Sequence, residues 1–154
     1  MRFSEMFACP YIIAATDHAA GIVGDSINMG KVHHAAFFLQ LGALTGDAIL
    51  TMNSGAAVAT KTTALTFNYR PAGADMGVAS ADVYGAWATS AALTLTAATY
   101  NDRCLIVEVD ASEMTDDEPY LTMDISSAAS VALASCVAIC YTRFHGLTNP
   151  TVLT

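Results

Sequence analysis

Positive charge is scarce in this chain. Arg2, Lys31, Lys61, Arg70, Arg103 and Arg143 are its six cations among 154 residues, against fourteen Asp and Glu, for a net charge of −8 at pH 7. They are scattered and form no stripe. Neutralising phosphates requires clustered cations, so direct binding to nucleic acid is not expected. An anionic membrane surface is disfavoured for the same reason. Charge of either sign is sparse, at 13% of residues against about 25% in typical domains. A surface this poor in charge points to partial cover by partners or by copies of the same chain. The other reading is a monomer whose surface is kept polar by threonine and serine.

Long apolar runs are also missing. The longest weakly polar stretch, 128–141, falls short of the ~20 residues a membrane-spanning helix needs. The N-terminal stretch carries Glu5 early and is interrupted by Pro10, which makes a poor signal peptide. The only N-x-T triplet, Asn149-Pro150-Thr151, is spoiled for glycosylation by its proline. Cys9, Cys104, Cys136 and Cys140 form no C-x-x-C and no zinc spacing. Three of them lie in apolar runs, where a thiol behaves as a small hydrophobe. They read as reduced core residues of a protein made in a cytoplasm. G-x-S-x-G, Walker A, H-E-x-x-H and Gly-rich dinucleotide motifs are absent. No catalytic residue and no cofactor is assigned, and the chain is read as a non-enzyme.

What is present is the grammar of short strands. Apolar residues make up 54% of the chain, but 29 of these are alanines, and 17 threonines accompany them. Runs of Val, Ile, Leu, Phe and Thr are punctuated by Gly, Asp, Asn and Pro. Strands are expected at 22–28, 31–41, 48–52, 62–69, 83–87, 92–96, 104–110, 120–125 and 131–142. Alternation places Leu65, Phe67 and Tyr69 on one face, and likewise Leu93 with Leu95, and Leu105, Val107 and Val109. The alanines of 128–141 permit helix, but Val131, Val137 and Ile139 favour strand. Around Ser112 to Thr115 one helical turn is expected, followed by an acidic loop. No βαβ alternation occurs. The expected fold is all-β, an antiparallel sandwich of the jelly-roll kind spanning 21–154. Residues 1–20 fit neither helical nor strand period, and Pro10 breaks any helix begun before it. They read as an extended N-terminal arm lying on another surface, or else as a strand tucked onto their own sandwich.

Two clusters invite a metal. On a regular strand His33 and His34 point to opposite faces and do not chelate one ion, and the H-x-H with a following Glu used by cupin-type jelly rolls is missing. The acids Glu108, Asp110, Glu113, Asp116, Asp117 and Glu118 lack the EF-hand spacing. No metal is assigned. Tyr84, Trp87 and Tyr100 are the aromatics that would form a platform if the chain were a carbohydrate-binding sandwich.

The stretch from Met29 to Gly42 (MGKVHHAAFFLQLG), with Leu44 to Ala48, Phe67 to Arg70, Gly73 to Asp75 and Leu93 to Tyr100, resembles small capsid decoration, or cement, proteins of tailed bacteriophages. The resemblance covers roughly 21–143. It implies a structural virion protein on the outer surface of the capsid, synthesised in the bacterial host cytoplasm. It also implies the major capsid protein as partner, homotrimers at three-fold positions, and no catalytic residue. On this reading Phe3, Phe7, Tyr11, Ile12 and Ile13 of the arm are the interface candidates. The alternatives are a carbohydrate-binding module, or another virion component such as a head-fibre base or tail part.

Overall fold

A computed structural model describes residues 3–143 and 151–153 of the chain. The Asn149-Pro150 position and Arg2 lie outside the described residues. A helical turn α1 (Phe3–Met6) leads into β1 (Phe7–Ala8) and β2 (Tyr11–Asp17). Then come β3 (Ile22–Val23), β4 (Ile27–Asn28), β5 (Val32–Leu44), β6 (Ala48–Gly55), β7 (Thr63–Leu65) and β8 (Phe67–Pro71). The chain continues through β9 (Ala88–Ser90), β10 (Leu93–Leu95), the turn α2 (Ala97–Tyr100) and β11 (Cys104–Asp110). A 3-10 turn (Ala111–Glu113), β12 (Tyr120–Ile125) and β13 (Ala132–Thr142) complete it.

The strands form two sheets. One runs β1-β13-β5-β11-β8-β9, with β2 also on β13; the other runs β10-β6-β12-β3, with β4 on β12 and β7 on β6. Every pairing is antiparallel. The core lies between the sheets. The first contributes Phe37, Leu39 and Leu41, Leu105 and Val107, and Phe67; the second contributes Leu50, Met52, Leu121 and Met123. The inward face of β13 is small, and its register sets Cys136 beside Leu39 and Ala138 beside Phe37. Small residues beside large ones let neighbouring strands fill one layer without voids. The exposed area of 7389 Å² matches the ~7,400 Å² expected of a folded monomer of this mass.

The strands expected at 104–110, 120–125 and 131–142 form almost as read, and the alanine-rich 128–141 is strand from Ala132 onward. Three expectations are corrected. The strand at 22–28 is two short pieces, because Gly24 and Asp25 turn aside: Gly24 N–H donates to Met123 O at 2.8 Å and Asp25 N–H to Ile12 O at 3.1 Å. The strand at 62–69 divides between the two sheets at Thr66. The strand at 83–87 does not form. Tyr84 makes only an isolated bridge to Ala72, and Val83 and Trp87 are exposed, so the valine and tryptophan there signal a surface loop rather than a buried strand.

The irregular apolar pattern of the N-terminus has a structural cause. Tyr11 pairs with Val137, Ile13 with Cys136 and Thr16 with Ala134, with register shifts between these pairs. Such bulges re-aim side chains, and Ile12 and Ile13, though adjacent, are both in the core, at 4% and 2% exposure. Pro10 lacks an N–H but accepts one from Ala138 at 3.0 Å, a role an edge strand permits. Gly21, at φ +86°, turns the chain from the first sheet toward the second, a conformation that favours glycine.

Candidate interaction surfaces

The outer face of the first sheet carries an apolar row among polar residues. Val137, Phe38 and Ile106 stand in register across β13, β5 and β11, with Tyr11 beyond Val137 and Arg70 beyond Ile106. At the β1 edge the rings of Phe3 and Phe7 stack at 4.8 Å, Phe7 lies 5.8 Å from Tyr141, and Tyr141 lies 5.9 Å from His33. Phe3 is 55% exposed and Tyr11 77%. Of the five interface candidates, the structure therefore brings Phe3 and Phe7 together, leaves Tyr11 open on the same strand edge, and puts Ile12 and Ile13 into the core. Tyr141 and His33 join this cluster and were not among the candidates. The signal for Tyr141 was the last aromatic of an alternating run.

His33 and His34 do not point to opposite faces. Tyr141 pairs with His34 and Thr142 with Val32, so His33 is the extra residue of a bulge, and both rings lie on the outer side of the sheet. His34 is held between two carboxylates, with Nδ1 2.9 Å from Asp110 Oδ1 and Nε2 3.4 Å from Glu108 Oε2. A carboxylate only accepts, so Nδ1 carries the proton in the shorter contact. Asp110 also begins the 3-10 turn through a capping box with Glu113, whose carboxylate accepts the Asp110 N–H at 2.8 Å. Among the described residues no three His, Cys, Asp or Glu side chains are arranged to hold a metal ion.

On the opposite margin, β8 and the loop after it build a second cluster. The Arg70 guanidinium lies 4.7 Å from the Trp87 ring centre and 5.3 Å from that of Tyr84, within the range of cation–π attraction. Its Nε is buried and has no hydrogen-bond partner. Burial first, and the Cys104 side chain second, push the Tyr84 phenol up to about 12, with Arg70 opposing. Trp87 is 47% exposed, and Met76, Val78 and Val83 of the same loop are exposed too. Tyr100, the third aromatic of the imagined sugar platform, is in the core. Tyr84 and Trp87 each lie against Arg70, which the sequence shows as one of six scattered cations.

A third feature lies where β12 begins. Met29, Met114 and Pro119 line an open cavity of about 530 Å³, with Asp116, Asp117, Glu118 and Arg143 around it. Met29 is buried, whereas Asp116 and Asp117 are exposed, so the floor is apolar and the rim carries three acids against the one cation Arg143. The buried Ser54 hydroxyl donates to Glu118 and anchors the loop.

Among the described residues no helix is long and apolar enough to cross a membrane. Of the cysteines, Cys136 and Cys140 are buried, Cys104 is half-buried and Cys9 is exposed, all as free thiols. No protein-family model matches the chain, and neither a curated protein nor a solved structure matches it. By its own geometry the chain is an all-β protein of two facing antiparallel sheets.

Proposed function

We propose that this is a structural virion protein that binds the outer surface of an assembled phage capsid and stabilises it by bridging neighbouring capsid subunits, itself assembled as a homotrimer. The observation that carries the reading is the aromatic group at the edge of the first sheet, with Phe3, Tyr141 and Tyr11 exposed and Phe7 half-buried against Phe3 and Tyr141. Clustered exposed aromatics mark contact surfaces, and large side chains of this kind supply most of the energy of a contact. The likeness of 21–143 to phage cement proteins gives the partner its identity, the major capsid protein. The fold is read as a jelly roll. The chain alternates between the sheets from β2 to the β3 and β4 pieces, to β5 and to β6, as it does over β11, β12 and β13, the traffic that two interlocked Greek keys produce. In this reading the N-terminal segment acts as an arm through its outward side chains while Ile12 and Ile13 fasten it to its own core.

Density-purified particles of the source phage, analysed by quantitative mass spectrometry, should contain this chain at a copy number of the same order as the major capsid protein. A handful of copies moves it to a vertex, fibre or tail, and absence from particles sinks the reading. Phe3→Ser with Phe7→Ser should abolish attachment to shells and leave the circular dichroism unchanged; retained attachment would remove the aromatic edge from the contact.

A further inference from the structure

Five cations lie within the described residues, and four of them are satisfied inside the chain. Lys61 meets Asp124 and Arg103 meets Asp75. Lys31 donates to the Thr151 carbonyl and Arg143 to that of Val32. Among the described residues Arg70 meets neither a carboxylate nor a carbonyl, and two aromatic rings lie against it. This is notable in a chain with fourteen acids. Its register neighbour on β11 is Ile106; Glu108, the partner of Asn68, lies two pairs further along and is turned to His34. The guanidinium is thus partly dehydrated, held in place by stacking, and in ion-pair contact with no carboxylate of the described residues, although the Asp82 charge also reaches Tyr84. A fixed cation without an ion pair gains most from an incoming carboxylate, because little orientation is left to lose. Beside it stand Trp87 and Tyr84, and the same loop exposes Val78 and Val83; Trp, Tyr and Arg are the residues that contact centres favour.

The acidic-rimmed cavity has the complementary chemistry. Its floor of Met29, Met114 and Pro119 suits an indole, and its volume of about 530 Å³ is within the ~300–1,000 Å³ of pockets that bury such groups. Asp116 and Asp117 on its rim make no hydrogen bond or ion pair with the described residues. We propose that Trp87 and Arg70 of one copy dock into this cavity of a second copy, Trp87 on the apolar floor and Arg70 against Asp116 and Asp117. The two patches are different surfaces of one chain, so the contact is heterologous and propagates head to tail until it closes into a ring. This deepens the self-association in the proposed function and rests on that part of it; it does not need the shell.

The test is the solution mass of the full chain by analytical ultracentrifugation over a concentration series. Wild type should associate into a closed species, and Arg70→Glu should weaken association at least about 30-fold. Asp116→Lys with Asp117→Asn should do the same; Asn is chosen because Asp117 sits at φ +64°, where Asn is tolerated. Combining all three substitutions in one chain swaps the charges at every contact and should restore association. Monomer at the 16.1 kDa of one chain throughout the series overturns the inference, as does association that Arg70→Glu leaves unchanged. Attachment to shells is scored separately by co-sedimentation. Copies that assemble through Arg70 but never bind shells sink the capsid reading alone, and monomers that bind shells sink this inference and the homotrimer while leaving the capsid contact standing.

Discussion

Leu65 and Phe67 are separated by one residue and belong to different sheets: Leu65 pairs with Met52 on β6, and Phe67 with Ser90 on β9. Both side chains are buried in the same core while Thr66 between them is exposed. The pair acts as a hinge pin at the sandwich margin. Phe67→Ala should cost about 3–5 kcal/mol and Leu65→Ala about 2–5 kcal/mol. Thr66→Ser should stay within about 0.5 kcal/mol. Urea unfolding midpoints decide this, and a Thr66 effect as large as that of Phe67 would contradict the division at this residue.

Ser26 and Thr122 form a buried hydroxyl pair at 2.7 Å, and Ser26 Oγ also accepts the Ala59 N–H at 2.8 Å. Ser26→Ala strands both the Ala59 amide and the Thr122 hydroxyl, whereas Thr122→Val removes one hydroxyl and keeps the shape. Ser26→Ala should therefore cost about 1–3 kcal/mol and Thr122→Val less. A double-mutant cycle by denaturant unfolding should return a coupling between the two.

Stability should fall in alkali. Burial pushes the Cys140 thiol from its ordinary 9.0 up to about 12, and burial raises Cys136 as well. Between about pH 9 and pH 12 the unfolded chain has released these protons and the native chain retains them. The slope of unfolding free energy against pH is therefore negative there, and the contribution is complete below pH 9. Cys140→Ala should make that fall shallower, whatever it does to stability at neutral pH. Thiol reagents at pH 8 should label the exposed Cys9 and spare Cys136 and Cys140 until the chain unfolds.

Gly21 is a turning point that tolerates no side chain. A Cβ there would lie 2.8 Å from Ser127 N and 2.9 Å from Ile125 O, on a backbone at φ +86°. Gly21→Ala should lower stability by about 1–3 kcal/mol, read as a lower melting temperature. An unchanged value would mean that the crossover relaxes freely.

Both His34 nitrogens are engaged by carboxylates, and the site is half-exposed. His34→Ala should change stability by about 1 kcal/mol or less, and EDTA should leave the melting temperature where it was. A drop of many degrees with EDTA would reveal a metal at the bulge.

Much of the sandwich is legible in the sequence because β11 and β12 carry their period openly: Leu105, Val107 and Val109 alternate with outward residues, and so do Leu121, Met123 and Ile125. What is hidden depends on partners. The period of 65–69 continues unbroken through Thr66, so nothing local announces that the chain changes sheets there. The bulges at Ile12 and His33 exist only against the register of β13, a strand remote in sequence. The surfaces divide in the same way. Phe3, Phe7 and Tyr11 declare themselves as apolar residues outside any period. Arg70 looks ordinary in Phe67-Asn68-Tyr69-Arg70 until a distant loop sets Trp87 and Tyr84 against it.

The place of β13 in the first sheet also dictates the order in which the molecule is made. This strand sits between β5 and the β1–β2 edge, and the Ala132 amide reaches the Asp17 carboxylate across 115 residues. Until that late segment leaves the ribosome, Ile12, Ile13 and the inward face of β5 lack the strand that joins them. Native pairing is dominated by such distant partners, which places folding in the slow range of about milliseconds to seconds. A ribosome-bound chain therefore carries this early strand unmated while the 115 residues that separate Asp17 from Ala132 are made, an interval in which a neighbouring nascent copy could supply the missing strand instead.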